Sequence, residues 1–190
     1  DTVTEAANGG VDTIDMSAVT VNLNVTVGAA GAITVDTFPA GANKVTAAGG
    51  VEKFLGSTGT NTYVVQSGWN SNLEIRNAAA APSAMLDMSA VTSNLTVTFF
   101  SDGRVEVKNA LGDKITARGI KHFKGGSGTN TYIFKEGASL AGNLTAGAGG
   151  INKIVYDFIS EATADLNGGM GAVAGVVGEV TGIAHITGGP

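Results

Sequence analysis

The residues of this chain able to do chemistry are few and widely spread. Asp1, Asp12 and Asp15 form an acidic group near the start, and they are the candidates for holding a calcium ion if any metal is bound. The two histidines, His122 and His185, fall at the same place in a repeating pattern, a position that the first copy fills with Lys53. Strands stacked at about 4.8 Å would separate equivalent positions by about 14 Å, so the pair is expected to face solvent rather than share a metal, whose nitrogen ligands sit near ~2 Å. Asp102, Glu106 and Asp113 alternate with Arg104, Lys108 and Lys114, which reads as a solvated mixed-charge hairpin. Trp69 follows Gly68 and suits either stacking on a sugar ring or capping the core of the first copy. No nucleophile elbow, phosphate loop or zincin signature occurs, so no catalytic residue and no cofactor is expected. A carbohydrate-active enzyme with carboxylates along one face is the remaining catalytic alternative.

The elements that would position these groups are repeated. Asp15-Met16-Ser17-Ala18-Val19-Thr20 recurs as Asp87-Met88-Ser89-Ala90-Val91-Thr92, and the match extends to 10 identities in 12 positions. Gly59-Thr60-Asn61-Thr62-Tyr63 recurs as Gly128-Thr129-Asn130-Thr131-Tyr132. Gly50-Val51-Glu52-Lys53-Phe54 is answered by Gly119-Ile120-Lys121-His122-Phe123 and again by Gly182-Ile183-Ala184-His185-Ile186. The chain thus holds nearly three copies of a unit of 63–72 residues, over positions 9–77, 78–147 and a truncated 148–190. Within each copy apolar residues alternate with Thr and Asn, as in Val19, Val21, Leu23, Val25 and Val27, which reads as half-buried β-strand. With no amphipathic helix to cover a sheet, the expected fold is all-β, a single parallel β-solenoid over 1–190 whose copies lie over one another. A Greek-key sandwich is the lesser alternative, since it has no need of a long sequence period. Gly56, Asn61, Gly125, Asn130 and Gly188 are the expected turn positions, the glycines by a left-handed φ or a close backbone approach.

Composition limits the rest. The 190 residues carry no cysteine, 29 glycines, three prolines and a formal charge of -5, with 43% hydrophobic content. Disulfides and cysteine-ligated zinc are excluded, and collagen is excluded by the lack of a three-residue glycine period. The acidic balance argues against nucleic acid, and no apolar run is long enough to insert in a membrane. The opening at Asp1 reads as a processed or excised piece. Setting Gly188-Gly189-Pro190 on Gly125-Gly126-Ser127, and Asp1-Thr2-Val3 on Asn130-Thr131-Tyr132, would let copies follow one another head to tail.

The tract Gly125-Gly126-Ser127-Gly128-Thr129-Asn130-Thr131-Tyr132-Ile133 resembles the glycine-aspartate nonapeptide of repeats-in-toxin (hemolysin-type) proteins. With Gly9-Gly10-Val11-Asp12-Thr13-Ile14-Asp15-Met16-Ser17, the unit is similar to the repeats of very large secreted bacterial adhesin-like proteins. That resemblance implies a parallel β-roll or β-helix, secretion, and a surface or filament role without activity. In calcium-binding repeats of that family the nonapeptide aspartate holds the ion. Here the position is Asn61 or Asn130, a neutral ligand where a hard dication prefers a carboxylate. The expected function is a stiff structural module of an extracellular or cell-surface assembly: a giant adhesin, filament or surface-layer component. Its partners would be neighbouring repeats, copies of itself end to end, or cell-surface glycans. A calcium-dependent binding module that folds after export is the first alternative.

Overall fold

A computed structural model describes residues 2–3, 10–37, 43–78, 81–158, 170–171 and 173–188. Alternating sequence becomes strand throughout, and no α-helix occurs among the described residues. β1 (Thr2–Val3) precedes the first copy, which contributes β2 (Asp12–Asp15), β3 (Leu23–Val27), β4 (Ile33–Thr37), β5 (Lys44–Ala47), β6 (Val51–Leu55), β7 (Asn61–Gln66) and β8 (Asn72–Arg76). The second contributes β9 (Ala84–Ala90), β10 (Leu95–Phe99), β11 (Arg104–Asn109), β12 (Lys114–Arg118), β13 (His122–Lys124), β14 (Asn130–Lys135) and β15 (Leu144–Thr145). The third supplies β16 (Lys153–Asp157), β17 (Met170–Gly171), β18 (Val180–Thr181) and β19 (His185–Thr187).

These strands form two mixed sheets, one ordered β1-β5-β4-β3-β7-β9-β13-β15-β18-β17, the other β19-β16-β14-β10-β11-β12-β8-β6-β2. The sheets are therefore not wholly parallel as expected. Parallel ladders are interrupted where β3-β4-β5 and β10-β11-β12 double back as three-stranded antiparallel meanders. The cause is local: Gly103 and Gly112 take left-handed φ of 75° and 92° at the ends of β11, and Gly112 N–H closes a turn on the Asn109 carbonyl. Arg104 opens β11 with its guanidinium 3.8 Å from the Phe100 ring centre, and Glu106 pairs with Lys108 at 2.9 Å. The mixed-charge segment is the hairpin that its alternation predicted.

The chain crosses from one sheet to the other after every strand or meander. From β2 to β8 it makes five such visits, or two and a half circuits, so the next copy begins on the opposite sheet. Equivalent segments accordingly lie on opposite faces: β3, β6 and β7 of one copy correspond to β10, β13 and β14, with the sheets exchanged. This corrects the expectation that copies stack directly over one another. Their local environments nevertheless match. Gly50, Gly119 and Gly182, which precede β6, β13 and β19, have φ of 76°, 75° and 76°, a conformation glycine reaches without a Cβ penalty. Phe54 meets Tyr63 edge-on at 5.9 Å and 79°, and Phe123 meets Tyr132 at 6.0 Å and 79°.

One core fills the space between the sheets. Leu23, Val25 and Val27 of β3 and Leu95, Val97 and Phe99 of β10 are buried in it, while the intervening residues face outward. Register places Phe99 beside Phe134 and Phe134 beside Tyr156 on neighbouring strands. The Phe99 and Phe134 rings stack at 4.5 Å and 16°. Phe99 also meets Phe123 of the facing sheet at 6.1 Å. Trp69 is 2% exposed, so the capping alternative holds and its ring is not open to a sugar face. Phe99 lies where the aromatic row and the cross-sheet contact meet, so Phe99→Ala should cost about 3–5 kcal/mol, measured by urea unfolding. Phe100→Ala, on the outward side, should cost about 1 kcal/mol or less.

Candidate functional site

The glycine turns before β7 and β14 hold the only buried polar side chains among the described residues outside the third copy: Ser57, Asn61 and Asn130. In the first copy the Ser57 hydroxyl donates to Asn61 Oδ1 at 2.7 Å. Asn61 Nδ2 donates to the Ser57 carbonyl at 2.9 Å and to Asn77 Oδ1 at 2.6 Å. The Tyr63 hydroxyl reaches the same Asn77 oxygen at 3.0 Å. In the second copy the amide nitrogen of Asn130 faces four oxygens, those of Gly126, Gly128, Ala146 and Asn152, at 2.8–3.1 Å. The Tyr132 hydroxyl donates to the Ala146 carbonyl at 2.9 Å. Neither asparagine has a positive φ. Each is the first residue of its strand, and its amide serves turn carbonyls that would otherwise be buried without donors.

Asn152 is a further member of this network, one that the sequence reading did not single out. It stands beside Asn130 just before β16 and donates on to the carbonyls of Gly147, Gly149 and Gly182 at 3.3 Å. The signal was present as Gly149-Gly150-Ile151-Asn152, a second glycine turn ending in asparagine.

Two of the expected turn glycines are required by close approach rather than by backbone angle. A Cβ at Gly56 would lie 2.1 Å from the Tyr63 hydroxyl oxygen, and one at Gly125 would lie 2.0 Å from that of Tyr132. The third expectation is not met. Gly188 has nothing within 4 Å of a Cβ and no left-handed φ.

Asp1 lies outside the described residues. Asp12 donates its backbone N–H to Glu52 Oε2 at 2.8 Å. Asp15 is exposed, and its carboxyl is held below the usual range by hydrogen bonds from the Ser17 hydroxyl and amide. No group of three or more Asp, Glu, His or Cys side chains converges among the described residues. His122 accepts from the Asn143 N–H at 3.1 Å, while His185 is exposed on the other sheet.

Two shallow clefts recur at equivalent places. One of about 350 Å³ is lined by Asn22, Leu23, Asn24, Asp36, Thr37, Thr60 and Thr62. Its counterpart of about 200 Å³ is lined by Asn94, Leu95, Thr96, Asn109, Ala110, Thr129 and Thr131. In each, an asparagine oxygen (Asn22 or Asn94) accepts a threonine N–H at 2.8 or 2.9 Å and closes the floor. Hydroxyls and amides line both, and neither lining includes a histidine or an aromatic ring. Such a surface can hold water and make weak polar contacts. Comparison with family models, curated proteins and solved structures finds no match to this chain.

The glycine–tyrosine contact gives a test by double-mutant cycle. Gly56→Ala should destabilise by about 2 kcal/mol or more, since the buried Tyr63 hydroxyl and the Asn61 amide stand where the added carbon would go. Tyr63→Phe should recover much of that loss. Gly125→Ala should be recovered less well by Tyr132→Phe, because the Ala146 carbonyl also stands 2.7 Å from the added carbon. Equal recovery in the two copies would contradict this assignment.

The tyrosines supply a pH test. Burial pushes all three hydroxyls above their ordinary value of 10.0, Tyr156 to about 12 and Tyr63 and Tyr132 further. A raised folded-state pKa favours the neutral form, so the stability is complete below pH 10 and is lost as pH rises toward 12. Ultraviolet titration should show no tyrosinate in the folded protein at pH 10–11, followed by ionisation and unfolding together.

Proposed function

We propose that this chain is a non-enzymatic structural module, a β-solenoid of degenerate repeats-in-toxin type that serves as a stiff segment of an extracellular or cell-surface assembly. The observation that carries the reading is the pair of matched junctions, Phe54 with Tyr63 and Phe123 with Tyr132, one copy apart on opposite sheets. Identical joints repeated along two strand ladders make sequence position advance along a shaft, as repeat architectures do. Register partners on parallel neighbours are 21 residues apart from Phe54 to Ile75 and 22 from Tyr132 to Ile154, the length of one circuit through both sheets.

The chemistry supports a mechanical role. Inward rows of valine, leucine and phenylalanine tie each circuit to the next, and backbone ladders run along the same direction. Outward threonines and asparagines, with the two polar clefts, keep the faces hydrated and available for weak contacts such as those made by glycans. A cysteine-free chain suits export without dependence on oxidation.

Asn61 and Asn130 separate this reading from a calcium-dependent one. Their amide nitrogens point at the turn oxygens, so neutral donors serve those carbonyls. The melting temperature should be the same in EGTA and in millimolar calcium, and X-ray scattering should give an elongated particle. Ten strands at about 4.8 Å make a stack of about 43 Å. A large loss of stability on chelation would replace the scaffold with the calcium module, and a round particle would remove both.

A further inference from the structure

Strand pairing sorts the charges of the mixed-charge hairpin into rows. Arg104 of β11 stands opposite Arg118 of β12, and Arg118 stands opposite Arg76 of β8. All three face outward, because their chain neighbours Val105, Ala117 and Ile75 are buried. Two residues along each strand the row is Glu106, Thr116 and Glu74, and beyond it come Lys108, Lys114 and Asn72. Arg76, Arg104, Lys108, Lys114 and Arg118, five of the chain's 11 Lys+Arg, therefore share one face of a protein whose formal charge is -5.

The fold has no need of the arginine row. Like charges directly opposite one another weaken a sheet, and the first copy builds the same meander without them. Gly28 N–H donates to the Ala32 carbonyl at 2.7 Å, as Phe100 N–H donates to that of Arg104 at 3.0 Å. Gly28 and Ala32 thus answer Phe100 and Arg104. On the next strand Ala48, which follows Ala47 opposite Ile33, answers Arg118, which follows Ala117 opposite Val105. Three small residues serve where the second copy carries an aromatic ring and two guanidinium groups.

These groups are open to an anion from outside. Glu74 holds Arg76 at 2.5 Å and Asp102 holds Arg118 at 2.8 Å, with the four side chains 34–51% exposed. Exposed pairs of this kind contribute little, so an external carboxylate can take the place of either acid. Arg104 lies 3.8 Å over the Phe100 ring, and no carboxylate of a described residue forms an ion pair with it. Beside the row, Asn72, Glu74, Lys114 and Thr116 help to line a cleft of about 230 Å³ with groups that accept from and donate to hydroxyls.

We propose that this face binds a linear acidic polysaccharide, its carboxylates along the arginine row and its hydroxyls on the row of Glu106, Thr116 and Glu74. Strands about 4.8 Å apart spread the three guanidinium groups over about 10 Å in the direction of the shaft. Each presents a planar fork that matches a carboxylate with two parallel hydrogen bonds. The interposed glutamates select the polymer. A nucleic acid, with one charge per about 1.7 Å, would press phosphates against them, whereas one carboxylate per sugar leaves hydroxyls to meet them. This inference rests on the scaffold reading, which sets the face outside the cell, and specifies its partner.

Polygalacturonate, neutral dextran and duplex DNA are the probes, each titrated calorimetrically into the 190-residue chain. Polygalacturonate should bind more tightly than either of the others, and its binding should fade as sodium chloride rises from about 20 to about 200 mM. Arg76→Gln/Arg104→Gln/Arg118→Gln should weaken it by about tenfold or more. Lys44→Gln/Lys124→Gln/Lys153→Gln, which removes the same charge elsewhere, should change it by about threefold or less. Should the arginine variant fail to fold, Ala32→Arg/Ala48→Arg sets a matching row in the first copy and should tighten binding by about threefold or more. No binding of polygalacturonate, equal losses in the two triple variants, no gain from the alanine replacements, or DNA held as tightly as the polyuronate would overturn the proposal. An elongated, chelator-insensitive particle would still leave the scaffold reading in place, so the two failures are distinguishable.

Discussion

The contact on which the architecture turns is a tyrosine hydroxyl resting on a glycine that has no side chain. Gly56 follows β6 on one sheet, and Tyr63 lies on β7 of the other, with the intervening turn held by Ser57 and Asn61. Because the hydroxyl occupies the volume a Cβ would take, the crossing between sheets has one spacing and one angle. The second copy repeats the arrangement with Gly125, Tyr132 and Asn130. Burial of the rest of the core follows from that crossing, since it sets which residues of the next strand point inward.

The asparagines show how neutral donors serve the carbonyls of this turn. A buried loop whose carbonyls point inward must find donors, and either a cation or an N–H can answer that need. Asn130 meets four oxygens with its amide nitrogen and passes the network to Asn152 on the neighbouring strand. A column of neutral amides then runs beside the tyrosine hydroxyls. Hydrogen bonds between neutral groups, Tyr63 with Asn77 and Tyr132 with the Ala146 carbonyl, help to join the sheets.

Much of the fold was legible because the code is simple. Alternation in Val19–Val27 and Arg104–Lys108 marks strands, and the recurrence of Asp15–Thr26 at Asp87–Thr98 places the copies, whose limits fall between β8 and β9 and between β15 and β16. The antiparallel meanders were less legible, since a two-residue period does not say whether a strand returns beside its predecessor or crosses to the facing sheet. The exchange of sheets between copies was hidden for a related reason: it depends on whether the number of crossings in a unit is odd, and each crossing turns on a few glycine and asparagine residues. At the site, Asn61, Asn130, Gly56 and Gly125 could be named from their pattern. The role of Asn152 required pairing partners, which no local sequence carries.

An odd count of crossings per unit has a consequence for inheritance. Gain or loss of a single unit would send every downstream strand to the reverse side of the molecule, while gain or loss of two would restore it. Parity, more than length, would then govern which residues a lengthened descendant displays to its surroundings on a given flank.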